Sequence, residues 1–596
     1  MGRDTNLVVK ASVALALFSG ALWTARADAA SAEPDREARV AQARAWLERA
    51  LKAAAGIHYA EDRGLAFRGI AVALARAGDA AAALTTAGAI EDAQERAWAV
   101  QEIVEAQARA GDLAGARATA NRIEDAGKRP DAIVFIIVAQ MNAGDWAGAK
   151  ATAAGNGDAR DRAIDFTLIA YAQIMAGDLA ASRETVKQAK AAAEGVEDRW
   201  RAMTLRDIVS LQAMSGDVGP AKETATAIEE ARFKAEALTK IALAQAKAEE
   251  VAASLGTLEM AKASAEGIAD GFDKAWRLKE IAVAQAKAGN LRGAKATVAG
   301  IEGAQDRALA LEDIAQAQAE AGDAAGAKAT AASIEEKDDF FLVHSRAGAF
   351  ARIAQVQAKR GESAASRDTL NEAYAIAAAM DRPQLRDQAL RQVAFALARA
   401  GDTAAAKGAA AGIVDVSEKA SALVSIAQAR LEAGDLTGSR ETLNEAKAAA
   451  AGIPEARSKL RTLRKIAELQ AAAADAAGSR ETFNDAKAAV AGLPEDEHGT
   501  DRASALMETA RAQARAGDLA GARATATAII PDRERTWALR EIAEQQARTG
   551  QLKELEAWVG ELRDATDRTY VMVGAALGLL PKEKEGPYDR LLRTVD

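Results

Sequence analysis

The sequence predicts an all-α solenoid, a superhelix of about 14 antiparallel helical hairpins with a capping helix at each end. Three observations lead there. A glycine returns at the fixed spacing of Gly78, Gly111, Gly144 and Gly177, an Asp follows each one, and the register runs on to Gly550. Alanine, the best helix former, dominates a composition with 8 Trp, 5 Tyr and 11 Phe, and strand signals are almost absent. Apolar residues recur at three- and four-residue spacing on both sides of the glycine. A fixed period of this size marks small units that bury their apolar faces only by stacking on their neighbours.

Residues 1–29 read as a secretory signal. Arg3 and Lys10 make a basic start, Ala11 to Trp23 form an apolar run, and Ala27-Asp28-Ala29 offers small residues for cleavage. That run is too short for a mature membrane-spanning helix, and no later stretch is long and apolar enough. The expected location is therefore periplasmic or secreted, with no membrane insertion of the mature chain. Residues 30–62 form an N-terminal cap, in which Ala50, Ala54 and Ile57 match the second helix of a hairpin without its first. Tandem repeats fill 63–567. Residues 568–596 hold a C-terminal cap and tail, where Arg568, Met572, Ala575 and Ala576 match a first helix without its second. Each cap is expected to keep a solvated outer face.

Aligning on the glycine gives repeats centred at 78, 111, 144, 177, 216, 249, 289, 322, 361, 401, 434, 474, 517 and 550. Glu249 and Ala474 replace the glycine in two of them. A residue with positive φ ends a helix most easily as glycine, and the Asp after it caps the next helix. The pair therefore joins a helix A to a helix B. In the second repeat Val100, Ile103, Val104, Gln107 and Ala108 stripe helix A, and Ala116, Ala120 and Ile123 stripe helix B. Seven steps keep the short spacing of Gly78 to Gly111, and six are longer, from that of Gly177 to Gly216 up to that of Ala474 to Gly517. Five of the long steps continue the helical period and lengthen helix B by about two turns. The step after Gly322, with Lys337-Asp338-Asp339-Phe340-Phe341, reads as a longer loop.

On these residues the chain resembles the tetratricopeptide repeat family, with Ala71, Gly78, Ala83 and Ile90 on its small and apolar positions. The likeness covers about residues 45 to 585. The chain departs from the family in its 33-residue period, its aliphatic, Ala or Gln residues in place of large aromatics, and its scarce inter-repeat prolines. The resemblance implies an α-hairpin superhelix that binds protein or peptide through its concave surface.

Two ladders run through the repeats. Fifteen positions before every alignment point lies a cation, from Arg63, Arg96 and Arg129 through Arg307 to Arg535. At the start of helix A a cation opposes the helix dipole. Acids such as Asp92, Asp125 and Glu230 precede it, and are read as closing the previous helix B. One reading is a basic grip on an anionic ligand. The preferred one is a staple, in which each cation bonds an acid or a free carbonyl at the preceding turn. A second ladder, Gln107, Gln140, Gln173 and eight more, lies four positions before the alignment point. It is read as a hydrogen-bond brace between adjacent helices.

The chemistry of catalysis is sparse. His58, His344 and His498 lie in different repeats near loops, there is no cysteine, and no phosphate-binding loop or nucleophile elbow occurs. No enzyme activity, metal or cofactor is expected. The formal net charge is −9, becoming −10 once the leader's Arg3, Lys10, Arg26, Asp4 and Asp28 are gone, which disfavours nucleic acid.

In the family, a helix A row thirteen, ten, six, three and two positions before the glycine faces the groove. Most repeats place charge or Ala there. The third to fifth offer Val134, Val138, Met141, Ile164, Tyr171, Ile174, Met175, Met203 and Met214, the candidate partner-binding residues. The alternative for these side chains is extra core packing. Asn142 is the only Asn at those positions, so the carboxylate-clamp specialisation of chaperone-binding relatives is not supported. Two functions remain open: an exported scaffold for protein or peptide partners, and a structural spacer without a defined ligand.

Overall fold

One residue per repeat sets the direction of the whole chain. The computed structural model describes residues 36–592 except 124–127, 336–345, 494–499, 531 and 583–585. The expected leader, residues 1–29, lies outside the described residues. Among the described residues there are 31 helices and no strand. Every alignment position has positive φ, from 59° at Ala474 to 92° at Gly322, and each reverses the chain between a helix A and a helix B. The fold is an array of antiparallel helical hairpins.

The turn closes by hydrogen bonds that the sequence reading anticipated and by others that it did not. In the second repeat Asp112 N–H donates to Gln107 O at 2.9 Å, and Asp112 Oδ1 accepts from Gly115 N at 2.9 Å. The first bond ends helix A and the second caps helix B. The Gln brace also has a partner that was missed, a threonine eight positions after the alignment point. Thr330 Oγ1 donates to Gln318 Oε1 at 2.6 Å, and the same bond forms from Thr185 to Gln173 and from Thr525 to Gln513. Gln318 Nε2 then donates to Asp323 Oδ2 at 3.1 Å, tying helix A, the turn and helix B together. The bridge is not closed everywhere, since Gln357 Oε1 and Gln470 Oε1 have no hydrogen-bond partner.

Helix B comes in two lengths. It is short in most repeats, as in Ala80–Gly88 and Leu113–Ala120, and long in five, among them Leu179–Ala193 and Leu436–Ala451. The aliphatic plug that ends the hairpin moves from the twelfth position after the glycine, as at Ile90, to the nineteenth, as at Val196. A shift of seven positions is close to two full turns, so the same face stays buried. In these five repeats a serine replaces alanine on helix B and bonds the backbone of helix A; Ser439 Oγ donates to Ala427 O at 2.8 Å. After Gly322 helix B is short (Ala324–Ala332), and most of the insertion expected to be a loop lies outside the described residues.

In nine of the fourteen repeats the ladder cation is seen donating to a carbonyl at the preceding turn. Arg129 Nη2 donates to Ile123 O at 2.6 Å, Arg307 Nη1 to Ile301 O at 2.7 Å and Arg96 Nη1 to Ile90 O at 2.5 Å. A carboxylate partner is seen for Arg63, with Glu91 at 2.7 Å. Asp92 was expected to close helix B against its dipole. Instead its side chain accepts from Glu95 N at 2.7 Å and caps the following helix A, where the dipole favours an anion. Asp125 lies outside the described residues.

The hairpins fall into two compact units. One joins the residues up to Ile241 with those from Thr536 onward, and the other is Ala242–Arg535. Within the first unit the two chain ends meet. Helix Arg36–Ala54, a helix B without its A, packs along helix Ala565–Leu579, an A without its B. Together they make one further hairpin, supplied half by each end of the chain. Added Cβ atoms at Gly574 and Gly578 would fall 2.1 Å from Arg540 O and 2.4 Å from Glu544 O, so this A helix also lies hard against the backbone of the one before it. On the other side it packs against helix Ala60–Arg76. Arg49 and Glu556 pair across the same junction at 2.7 Å. The expected caps therefore cover each other, with Leu47, Ala50, Val571 and Ala575 wholly enclosed. Two unmatched apolar stripes within reach of one another bury more surface paired than apart.

The turn geometry and the split hairpin can each be tested by amide hydrogen exchange. Ala474 and Glu249 hold φ values of 59° and 63°, where an L side chain is strained. Ala474→Gly and Glu249→Gly should each stabilise the surrounding hairpins by about 0.5–1 kcal/mol, the αL strain less the entropy of glycine. Slower exchange in the flanking helices is the readout, and faster exchange would contradict it. In the first unit, Leu47→Ala should cost about 2–5 kcal/mol locally. Exchange should then rise in helix Ala565–Leu579 as well as in Arg36–Ala54. A rise confined to Arg36–Ala54 would disprove the shared hairpin.

Candidate partner-binding surface

The nine candidate residues do not share one environment. Val134, Val138 and Met141 are buried on helix Arg129–Asn142, as are Tyr171 on helix Ala159–Met175 and Met203 on helix Asp198–Met214. Burial holds the Tyr171 phenol above its ordinary pKa. Ile164 and Ile174 are half-buried. Met175 and Met214 are exposed, at 50% and 41%. The middle of the row thus packs inside the stack, and its turn end reaches the surface.

Several row and core positions of the same stretch have become polar yet buried. Arg206 is enclosed between Asp207, at 2.7 Å, and Glu236, at 3.4 Å, with its guanidinium 5.3 Å from the Phe233 ring. Burial alone would lower its pKa, but the two carboxylates outweigh that and raise it. At the end of the third repeat Asn156 stands where its predecessors have Ile90 and Ile123. In the fourth, Asp165 stands where they have Ala99 and Ala132. The two substitutions face each other, with Asn156 Nδ2 donating to Asp165 Oδ2 at 3.2 Å. Full burial pushes the Asp165 carboxyl well above the usual carboxylate range, and the Asn156 bond only partly opposes it.

At the turn end, the position two before the glycine is charged in ten of the fourteen repeats and Ala in one. The third to fifth repeats interrupt it with Asn142, Met175 and Met214. On the B side of the same turns lie Trp146, Leu179 and Val218, of which Leu179 is 37% exposed. The fourth and fifth turns therefore present apolar side chains on both flanks of the glycine, and the third on its B flank. The C-terminal helix Asp589–Leu592 packs on helix Arg129–Asn142, the first A helix of this strip. Sequence reading found Met175 and Met214 but passed over Trp146 and Leu179, because it followed helix A and left the first turn of helix B unread. An aromatic in a position otherwise filled by Leu, Val, Ala, Ser or Thr was the available signal.

Among the described residues no cluster of three or more His, Asp or Glu side chains is placed to hold a metal, and no helix is long and apolar enough to cross a membrane. His58 is exposed, edge-on to Tyr59, while His344 and His498 lie outside the described residues.

No protein-family model matches the chain, and no curated protein matches it. Solved structures do match. Ton1535 from Thermococcus onnurineus NA1 is 15% identical, with 68% of this chain and 98% of that one covered and a TM-score of 0.20. Naa15/Naa10 bound to HypK-THB gives 14% identity, 84% and 80% coverage and a TM-score of 0.28. The APC/C hetero-tetramer Cut9-Hcn1 gives 11%, 83%, 96% and 0.20. At these identities and scores nothing about partners or activity passes to this chain.

Proposed function

We propose that this protein is a non-enzymatic, exported repeat scaffold that binds protein or peptide partners along the turns of its third to fifth repeats. The observation that supports it most is the exposure of Met175 and Met214 at a position where ten of the fourteen repeats carry charge, with Leu179 exposed on the B flank of the fourth turn. Methionine adapts to varied apolar partners at little cost, and both flanks of the fourth and fifth turns contribute. Val134, Val138, Met141, Ile164, Tyr171, Ile174 and Met203 act beneath this strip by holding helix A in place. The family resemblance supports the class of function, and the acidic balance speaks against nucleic acid.

A random peptide library displayed on phage, selected against the full-length protein, tests the reading. Selected peptides should bind Met175→Ser/Met214→Ser at least tenfold more weakly, while that variant keeps its circular dichroism and melting temperature. Val138→Ser or Tyr171→Ser should instead lower the melting temperature, since those side chains are buried. If no selected peptide distinguishes the double variant from the wild type, the strip is no binding site and the spacer reading stands. Export is tested separately: the first residue of the protein purified from its native source should be Ala30, and a mature chain still carrying Ala11 to Trp23 would refute cleavage.

A further inference from the structure

Asn142 and Trp146 break the repeat pattern in the same turn, and both meet the C-terminal tail. Asn142 Nδ2 donates to Asp589 Oδ1 at 2.9 Å, and Asn142 Oδ1 accepts the Tyr588 N–H at 3.0 Å. One amide thus reads both a backbone group and an acid. The Tyr588 ring stands edge-on to Trp146, with centroids 5.5 Å apart and planes at 70°. A Cβ on Gly586 would lie 2.3 Å from Asn142 Cγ, so a larger residue there must push the Asn142 amide out of its two bonds. Asp589 and Leu591 are buried. The tail keeps its own shape through Leu591 N–H donating to Tyr588 O at 2.9 Å. Among the fourteen repeats, Asn occurs two before the glycine and Trp two after it in this repeat alone. Two independent departures serving one contact mark a built site.

We propose that the third turn is a reversible peptide site and that residues 586–592 are its tethered ligand. On opening, it admits a partner peptide carrying glycine, an aromatic residue two positions on, and an acid directly after that. This rests on the partner-binding reading above and adds the identity of the recognised segment. Reversibility follows from the contact being small. Pro587 and Arg590 are exposed, Tyr588 is half-exposed, and the described tail contacts centre on one turn. Such a segment stays bound because its tether holds it at an effective concentration on the order of millimolar. An untethered peptide with the same few contacts binds weakly, unless it continues across Leu179, Met175 and Met214 and so gains what the tail lacks.

The test uses full-length protein and a fluorescein-labelled synthetic peptide of residues 581–596, read by fluorescence polarisation. Gly586→Val, whose side chain would displace the Asn142 amide from the tail, should free the site and bind the peptide at least tenfold more tightly than wild type does. Adding Asn142→Ala should remove that binding by tenfold or more. Tyr588→Ala is the second opener if Gly586→Val alters the circular dichroism. Folded openers that bind no better than wild type, or binding indifferent to Asn142→Ala, would overturn the proposal. So would wild-type amide exchange in 586–592 as slow as in helix Arg129–Asn142. Wild-type dimers abolished by Asn142→Ala would assign the site to a second copy's tail and overturn the latch. The two readings fail separately: library peptides sensitive to Met175 and Met214, with no peptide bound by the openers, would sink the latch alone. Tail-peptide binding with no such library peptide would sink the wider scaffold reading instead.

Discussion

The hairpin turn, one residue held at positive φ with an acid or amide usually after it, is the constraint on which the rest depends. It does three things within two residues. It ends helix A, sends the next backbone N–H back to the carbonyl five positions earlier, and often presents a side chain to cap helix B. The Gln and Thr partners are measured from that point, because a bridge from helix A to helix B works only in one register. The glycine four positions after the turn shows how tightly this is drawn. A Cβ at Gly115 would fall 2.0 Å from Asp112 Oδ2 and 2.5 Å from Gln107 Nε2. The Gln-to-Asp bonds seen at Gln107, Gln140, Gln318 and Gln513 occur where glycine stands at that place (Gly115, Gly148, Gly326 and Gly521). In the fourth repeat Ala181 occupies it, and Gln173 is braced by Thr185.

Substitutions within the bridge come with compensations. The tenth repeat has Leu397 and Ala409 where others have Gln and Thr, so donor and acceptor vanish together. In the first, Leu74 leaves Thr86 without its Gln, and the hydroxyl bonds Ala82 O in its own helix instead. The eleventh has Arg430, whose guanidinium reaches Asp435 at 2.7 Å and Thr442 at 3.3 Å, the same two partners by another route. A buried polar group left with half its bonds is costly, which favours changing these positions together or supplying a replacement partner. The cation ladder follows the same economy of partners. Its positive charge sits against a helix dipole, yet at Arg96, Arg129 and Arg307 it satisfies the carbonyl left open where the preceding helix B ends.

Closure of the chain on itself gives the first compact unit a different character from an open stack. An end repeat of an open stack has one uncovered face, and polar caps are the usual remedy. Here the remedy is a hairpin divided between Arg36–Ala54 and Ala565–Leu579, so each helix covers the apolar stripe of the other. Residues beyond the second of these helices return to the third repeat. The tail thus rests at the edge of the apolar strip on the third to fifth turns.

Much of this was legible in the sequence, because local rules write it there. The 33-residue period, the positive-φ turns at Gly78 and its equivalents, the two-turn extensions and the staples at Arg96, Arg129 and Arg307 all involve partners a fixed short distance along the chain. Each repeat states them again, so one reading is checked many times. Even the halves of the split hairpin were visible as an A without a B and a B without an A. That they pair was decided only by the tertiary structure, since nothing in a 33-residue pattern relates Leu47 to Val571. Burial was decided the same way. Val138 and Met175 belong to the same row on successive A helices, yet one is enclosed and the other open, because position along the helix relative to its neighbours, and not spacing, determines what covers a side chain. The pairing of Asn142 and Trp146 with Gly586, Tyr588 and Asp589 is likewise a single long-range contact, made once and repeated nowhere among the described residues.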